Sequence, residues 1–246
     1  AASDVYKRQD MPIDMKCPVL QRMTDMIAHR GPDSEGHYID EHAALGHRRL
    51  SIIDLGGGQQ PIYNEDGSKV ITFNGEIYNY QTLREELIAA GHTFTTKSDT
   101  EVLLHGYEQW GVDLLQRVRG MFTFVIWDKN KQELFGARDH FGIKPFYYAK
   151  MNGTFMYASE IKSLLRHPDF VKELNAEALK PYMTFQYPAI GETFFKGVYK
   201  LPEGHYFTYR DGKMDIHRYY DEDFREGKQK LGELVNSIDQ TVCDSV

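Results

Sequence analysis

The sequence predicts an α+β chain in which sheets are covered by helices in layers. Short apolar or alternating runs bounded by turn residues recur along most of the chain, and a few amphipathic helical stretches lie among them. With 246 residues, of which 13% are aromatic, the chain has ample length for a buried core and is no disordered tail. That length allows one large domain, or one domain plus the start of another.

The first ten residues, with "AASDVYKRQ", have no counterpart in the pattern that follows and read as a non-native leader replacing a first strand. "CPVLQRMTDMIAH" places Leu20, Met23, Met26 and Ile27 on one helical face, with Pro18 in a first turn. "HRGPDSEGHYID" is a break and then a short strand. "AALGHRRLSIIDL" reads as strand, polar interruption and second apolar segment, and "GGGQQP" as a loop. In "FNGEIYNY" the apolar run "KVITF" stops at Asn74-Gly75, a pair that usually makes a hairpin turn. No second strand follows. Tyr80, Leu83, Leu87 and Ile88 have helical spacing instead, with Asn79 as N-cap and Gly91 past the end. The expected motif is therefore strand, tight polar break and helix, with backbone N–H groups near the helix start free for an anion or oxyanion.

"SDTEVLLHGYEQWG" opens with a capping box of Ser98 and Glu101. "GMFTFVIWDKNKQELFGARD" is a hairpin around "DKNKQ", and strands follow at "PFYYA" and "TFMYAS". Short helices are expected at "SEIKSLLRH" and "NAEALKPYM", then a hairpin turning on Asp211-Gly212. From Asp221 the chain turns charged and then helical. The expected division is leader 1–10, a domain over 11–220, and a linker with the first helix of a truncated second domain over 221–246.

Charge narrows the partners. Lysine and arginine number 29 against 36 acidic residues, a net charge of -7, which favours neither nucleic acid nor an anionic membrane. No apolar stretch approaches the ~18 residues of a membrane span. Two cysteines, Cys17 and Cys243, make no disulfide framework and fit a cytoplasmic setting.

Three polar sites interrupt apolar segments: Arg48-Arg49, Asn74-Gly75-Glu76 and Ser98-Asp99. An arginine grips a carboxylate through two parallel hydrogen bonds, and an acidic group such as Glu76 or Asp99 holds an ammonium, so together they suit a free amino acid. On spacing alone the commoner uses are others: Asp99 as a first-turn acid on a helix, Arg49 as a surface ion-pair residue and Asn74-Gly75 as a turn.

"HRGPDSEG", "HRRLSIIDL", "FNGEIYNY", "SDTEVLL", "RGMFTFVIWD" and "GARDHFGIKPFYY", in this order, resemble the glutaminase half of glutamine-dependent asparagine synthetases, from about residue 18 to the C-terminus. The resemblance implies a class II glutamine amidotransferase, an N-terminal-nucleophile hydrolase with a four-layer αββα sandwich of two antiparallel sheets. It assigns Arg49 to the α-carboxylate of L-glutamine, backbone groups of Ile52 and Ile53 to the same substrate, and Glu76 and Asp99 to its amino group. The Asn74 side-chain amide and the Gly75 backbone N–H match the oxyanion hole. His29, Arg30 and Asp33 of the "RGPD" block would shape the pocket loop, and His140 would be structural. The family's nucleophile is an N-terminal cysteine whose own amine is the general base; projected back from Arg30 it falls at or just before Ala1, where this sequence has none. Cys17 has neither a free amine nor the right strand, so the chain as given is expected to be inactive. The resemblance implies no metal or cofactor in this chain. ATP, Mg and aspartate belong to the missing synthetase domain, and a homodimer is compatible with it.

Overall fold

The computed structural model describes residues 2–7, 11–50, 57–187, 191–224 and 230–245. In chain order they form β1 (Ala2–Lys7), α1 (Ile13–Asp25), β2 (Ser34–Ile39), β3 (Ala43–Arg49), β4 (Ile62–Tyr63), β5 (Lys69–Ile77), α2 (Tyr80–Ala89) and α3 (Asp99–Trp110). There follow β6 (Gly120–Asp128), β7 (Glu133–Arg138), β8 (Tyr147–Met151), β9 (Thr154–Ala158), α4 (Ile161–Leu164), α5 (Leu179–Phe185), β10 (Val198–Lys200), β11 (His205–Arg210), β12 (Lys213–Arg218) and α6 (Leu231–Ser245).

The strands make two six-stranded sheets, ordered β10-β8-β9-β1-β3-β2 and β12-β11-β7-β6-β5-β4, with every pairing antiparallel. Strand alternation splits their side chains into three cores. Leu45, Phe155 and Tyr157 of the first sheet meet Val70, Val125, Trp127 and Phe207 of the second between the sheets. Val19, Leu20 and Met23 of α1 cover the outside of the first sheet. Leu83 and Leu87 of α2 and Val102 to Leu104 of α3 cover the outside of the second. The molecule is thus the expected four-layer αββα sandwich.

Several local expectations change. Ala2–Lys7, for which no strand was expected, pairs with β3 on one side and β9 on the other and so fills the middle of the sheet. This placement buries Asp4 completely, with neither carboxylate oxygen hydrogen-bonded. Burial accordingly pushes its carboxyl up to about 8. Pro18 sits inside α1 rather than in its first turn, because the helix already starts after Pro12. Ile88 stays half exposed, since only Leu83 and Leu87 of α2 face the sheet. Asn79 caps nothing with its side chain; its amide bridges Arg117 O and Arg119 N at 2.9 Å each, tying the start of α2 to β6. The hairpin at Asp211-Gly212 forms as expected, with φ of 49° and 75°. Among the described residues no helix is long and apolar enough to cross a membrane.

Candidate active site

The expected break at Asn74-Gly75 does not occur. β5 runs unbroken to Ile77 and pairs with β6 along its whole length. A Cβ on Gly75 would stand 2.2 Å from Met121 O, so only glycine permits this close pairing. On its other edge, among the described residues, β4 pairs with just two residues of β5, Val70 and Ile71. Beyond them side chains take over. Gln60 accepts from Phe73 N–H at 2.6 Å and donates to Phe73 O at 3.1 Å, and Asp99 Oδ2 accepts from Ile77 N–H at 3.0 Å. Since strand residues two apart turn their backbone groups to the same edge, Gly75 N–H faces the gap between these two plugs. The free donor comes from a strand edge, not from a helix start.

This gap opens into a cavity of about 130 Å³ lined by Arg49, Asn74, Gly75, Glu76 and Asp99. The structure therefore brings together five of the seven residues singled out in the sequence. Ile52 and Ile53 lie outside the described residues. Asn74 faces the inter-sheet side with its Nδ2 buried and without a hydrogen-bond partner, an orphaned donor at the wall of the cavity. Arg49, nearly buried, donates from Nη1 to Gly57 O at 2.6 Å. Its second nitrogen lies beside Gly58, whose φ of 64° and absent side chain make room for it against Ser98.

The "RGPD" segment stands behind this arginine. A Cβ on Gly31 would fall 2.3 Å from the carbonyl carbon of Arg48, and Asp33 N–H donates to Arg49 O at 3.1 Å. His29 and Arg30 point elsewhere, to Glu160 at 3.0 and 3.3 Å. At the opposite wall Asp99 begins α3. Ser98 caps it by accepting from Thr100 N–H, but Glu101 does not return the bond as a capping box would; it holds Thr95 and Thr96 instead. Burial pushes the Asp99 carboxyl up against the hydrogen bonds that stabilise its charge.

Among the lining residues that no sequence signal singled out are His47, Gln60, Met121 and Lys144. Gln60 lies in a glycine-rich loop, and only the three-dimensional edge of β5 gives its amide a task. His47 Nε2 hydrogen-bonds Phe73 O at 3.0 Å, which places the proton on Nε2 and leaves Nδ1 a buried acceptor without a partner. Burial first, with nearby Arg49, lowers its pKa to about 3. Lys144 is fixed through its backbone, donating to Asp139 Oδ2 at 3.0 Å and accepting from Arg138 Nε at 2.7 Å. His140, by contrast, packs among Phe122, Tyr219 and Tyr220 and is no part of the cavity. Cys17 and Cys243 are exposed on α1 and α6 and do not line it either.

Comparison with known proteins places the chain in a family. The profile of the glutamine amidotransferase domain matches residues 6–220. Asparagine synthetase [glutamine-hydrolyzing] 1 of Bacillus subtilis is 46% identical over 93% of this chain, and asparagine synthetase [glutamine-hydrolyzing] 3 of the same organism is 36% identical over 92%. The chain spans 36% and 38% of their respective lengths, about a third. Among solved structures, the glutamine phosphoribosylpyrophosphate amidotransferase of B. subtilis superposes over 90% of this chain and 50% of its own with a TM-score of 0.66 at 17% identity, a likeness of fold.

Proposed function

The chain belongs to the glutamine amidotransferase domain family, and from this premise we propose that its cavity binds free L-glutamine and stabilises the tetrahedral intermediate of amide hydrolysis. The observation that carries the reading is the orphaned Asn74 amide beside the Gly75 N–H at an open strand edge. Two donors already aimed into a partly buried space cost nothing to reorganise when the side-chain carbonyl oxygen takes up charge. In this reading Arg49 pairs with the substrate's α-carboxylate, Glu76 and Asp99 receive its ammonium, and backbone groups of Ile52 and Ile53 complete the contacts. Hydrolysis converts glutamine and water to glutamate and ammonia.

The thiol that would attack is supplied, in the reading drawn from the resemblance, by an N-terminal cysteine. Both cysteines of this chain lie away from the cavity, which supports the proposal that the chain as given binds glutamine without turning it over. The relatives are named as glutamine-hydrolysing asparagine synthetases; by the resemblance drawn from the sequence, the ammonia would amidate aspartate in a cytoplasmic synthetase whose further domain holds ATP and Mg. A related synthetase with another acceptor is the alternative, because the acceptor is chosen outside these residues.

Titration calorimetry with L-glutamine tests the site. Saturable binding that Arg49→Ala weakens by at least tenfold, about 1.4 kcal/mol, supports the reading; equal affinity of the two proteins refutes it. An ammonia assay tests the chemistry. The chain should release none above buffer, whereas Ala1→Cys, with its amine free, should do so.

A further inference from the structure

Away from the cavity, on the middle turns of α3, four side chains from three parts of the chain converge. His105 and Glu108 share a face of α3, His92 follows α2 just after Gly91, and Glu65 lies in the turn between β4 and β5. One ligand atom from each falls within 4.8 Å of all the others. His105 Nδ1 is 3.0 Å from Glu108 Oε2 and 3.5 Å from Glu65 Oε2; His92 Nδ1 is 3.8 Å from Glu65 Oε1 and 4.0 Å from Glu108 Oε2.

Three of these four separations are too long for hydrogen bonds, which end near 3.2 Å. They are close to another distance. Ligands bound tetrahedrally at zinc's usual bond lengths stand about 3.4 Å apart. We propose that Glu65, His92, His105 and Glu108 form a structural site for one Zn²⁺ ion.

The surroundings prepare the donors. Each imidazole offers Nδ1 and turns Nε2 toward an oxygen: His92 Nε2 meets Gln109 Oε1 at 3.1 Å, and the buried His105 Nε2, without a hydrogen bond, faces Glu101 Oε1 at 3.6 Å. An outer acceptor such as Gln109 fixes the tautomer and raises the basicity of a metal-binding imidazole. The second oxygen of Glu108 takes Asn64 Nδ2 at 2.7 Å, and Glu65 Oε1 accepts from Thr93 N–H at 3.0 Å, so both carboxylates are already oriented. Two imidazole nitrogens select against calcium and magnesium, and four protein ligands close the shell to a substrate. The ion would bind the β4–β5 turn and the α2–α3 loop to the helix whose first residue, Asp99, lines the cavity. This inference is independent of the glutamine reading.

The untagged full chain, stripped with a chelator, is titrated with Co²⁺ and then Zn²⁺ while visible absorption and thermal unfolding are followed. One equivalent of Co²⁺ should give the intense bands of a tetrahedral site, Zn²⁺ should displace it, and the bound ion should raise Tm. His92→Gln and Glu65→Gln, both at partly exposed positions, should unfold at the parent's temperature in chelator and bind Co²⁺ at least about tenfold more weakly. Absence of saturable binding, or variants with the parent's affinity, overturns the proposal.

Discussion

Asn74 and His47 show what single side chains do in this cavity. In the Ala1→Cys protein, Asn74→Ala should lower kcat by ~10²–10³-fold with a much smaller change in KM, because the lost donor acts on charge that appears only in the transition state. Steady-state kinetics at saturating glutamine check it. His47 sets a pH response. Its folded pKa of about 3 lies below the ~6.5 of an unfolded histidine, so as pH falls between these values the unfolded state binds a proton that the folded state refuses, and stability drops. Denaturant titrations of the parent and of His47→Gln should show a steeper loss from pH 6 to pH 4 in the parent; parallel curves would refute it. Neither His47 nor Gln60 was legible in the sequence, since a histidine on an apolar strand and a glutamine in a loop acquire partners only through the edge of β5. Arg49, Asn74, Glu76 and Asp99, which line one cavity, stood out as polar residues interrupting apolar segments, but spacing alone also allowed a turn, a cap or an ion pair, and their roles come from the resemblance.

Among elements, β1 carries the largest conflict between local sequence and position. A carboxyl is held in the middle of a sheet, and strand propensity alone would not put it there. Asp4 keeps its proton up to about pH 8 when folded but loses it near pH 4 when unfolded, so its effect on stability worsens as pH rises through that window. Asp4→Val should therefore stabilise the protein by about 1–3 kcal/mol, with the gain larger at pH 8 than at pH 5; thermal melts at the two values decide. The fold was read correctly from hairpins such as β6–β7 and β11–β12, where turn chemistry and alternation agree. It was misread at β1, whose composition hid its place, and at Asn74-Gly75. There a turn-forming dipeptide serves instead to let two strands approach, and only the Met121 carbonyl opposite Gly75 distinguishes the two uses.

At the scale of the molecule, α6 stands apart. All of residues 230–243 are exposed, and Leu231, Leu234, Val235, Ile238 and Val242 form an uncovered apolar stripe at helical spacing. Removing residues 225–246 should leave Tm within about 1 °C, as residues 230–243 are all exposed, and should abolish any concentration-dependent self-association seen by size-exclusion chromatography. An unchanged association would place the contact elsewhere on the two sheets. The second sheet, for its part, ends one strand early at the cavity. Gln60 and Asp99 seal its ladder at Phe73 and Ile77, four residues and about 13 Å apart, and between the seals Gly75 turns its backbone groups to that edge. A polypeptide cannot lie along that edge as an extra strand. If the cavity holds glutamine as proposed, the two seals would act as a length filter that admits the free amino acid and turns away glutamine within a protein chain.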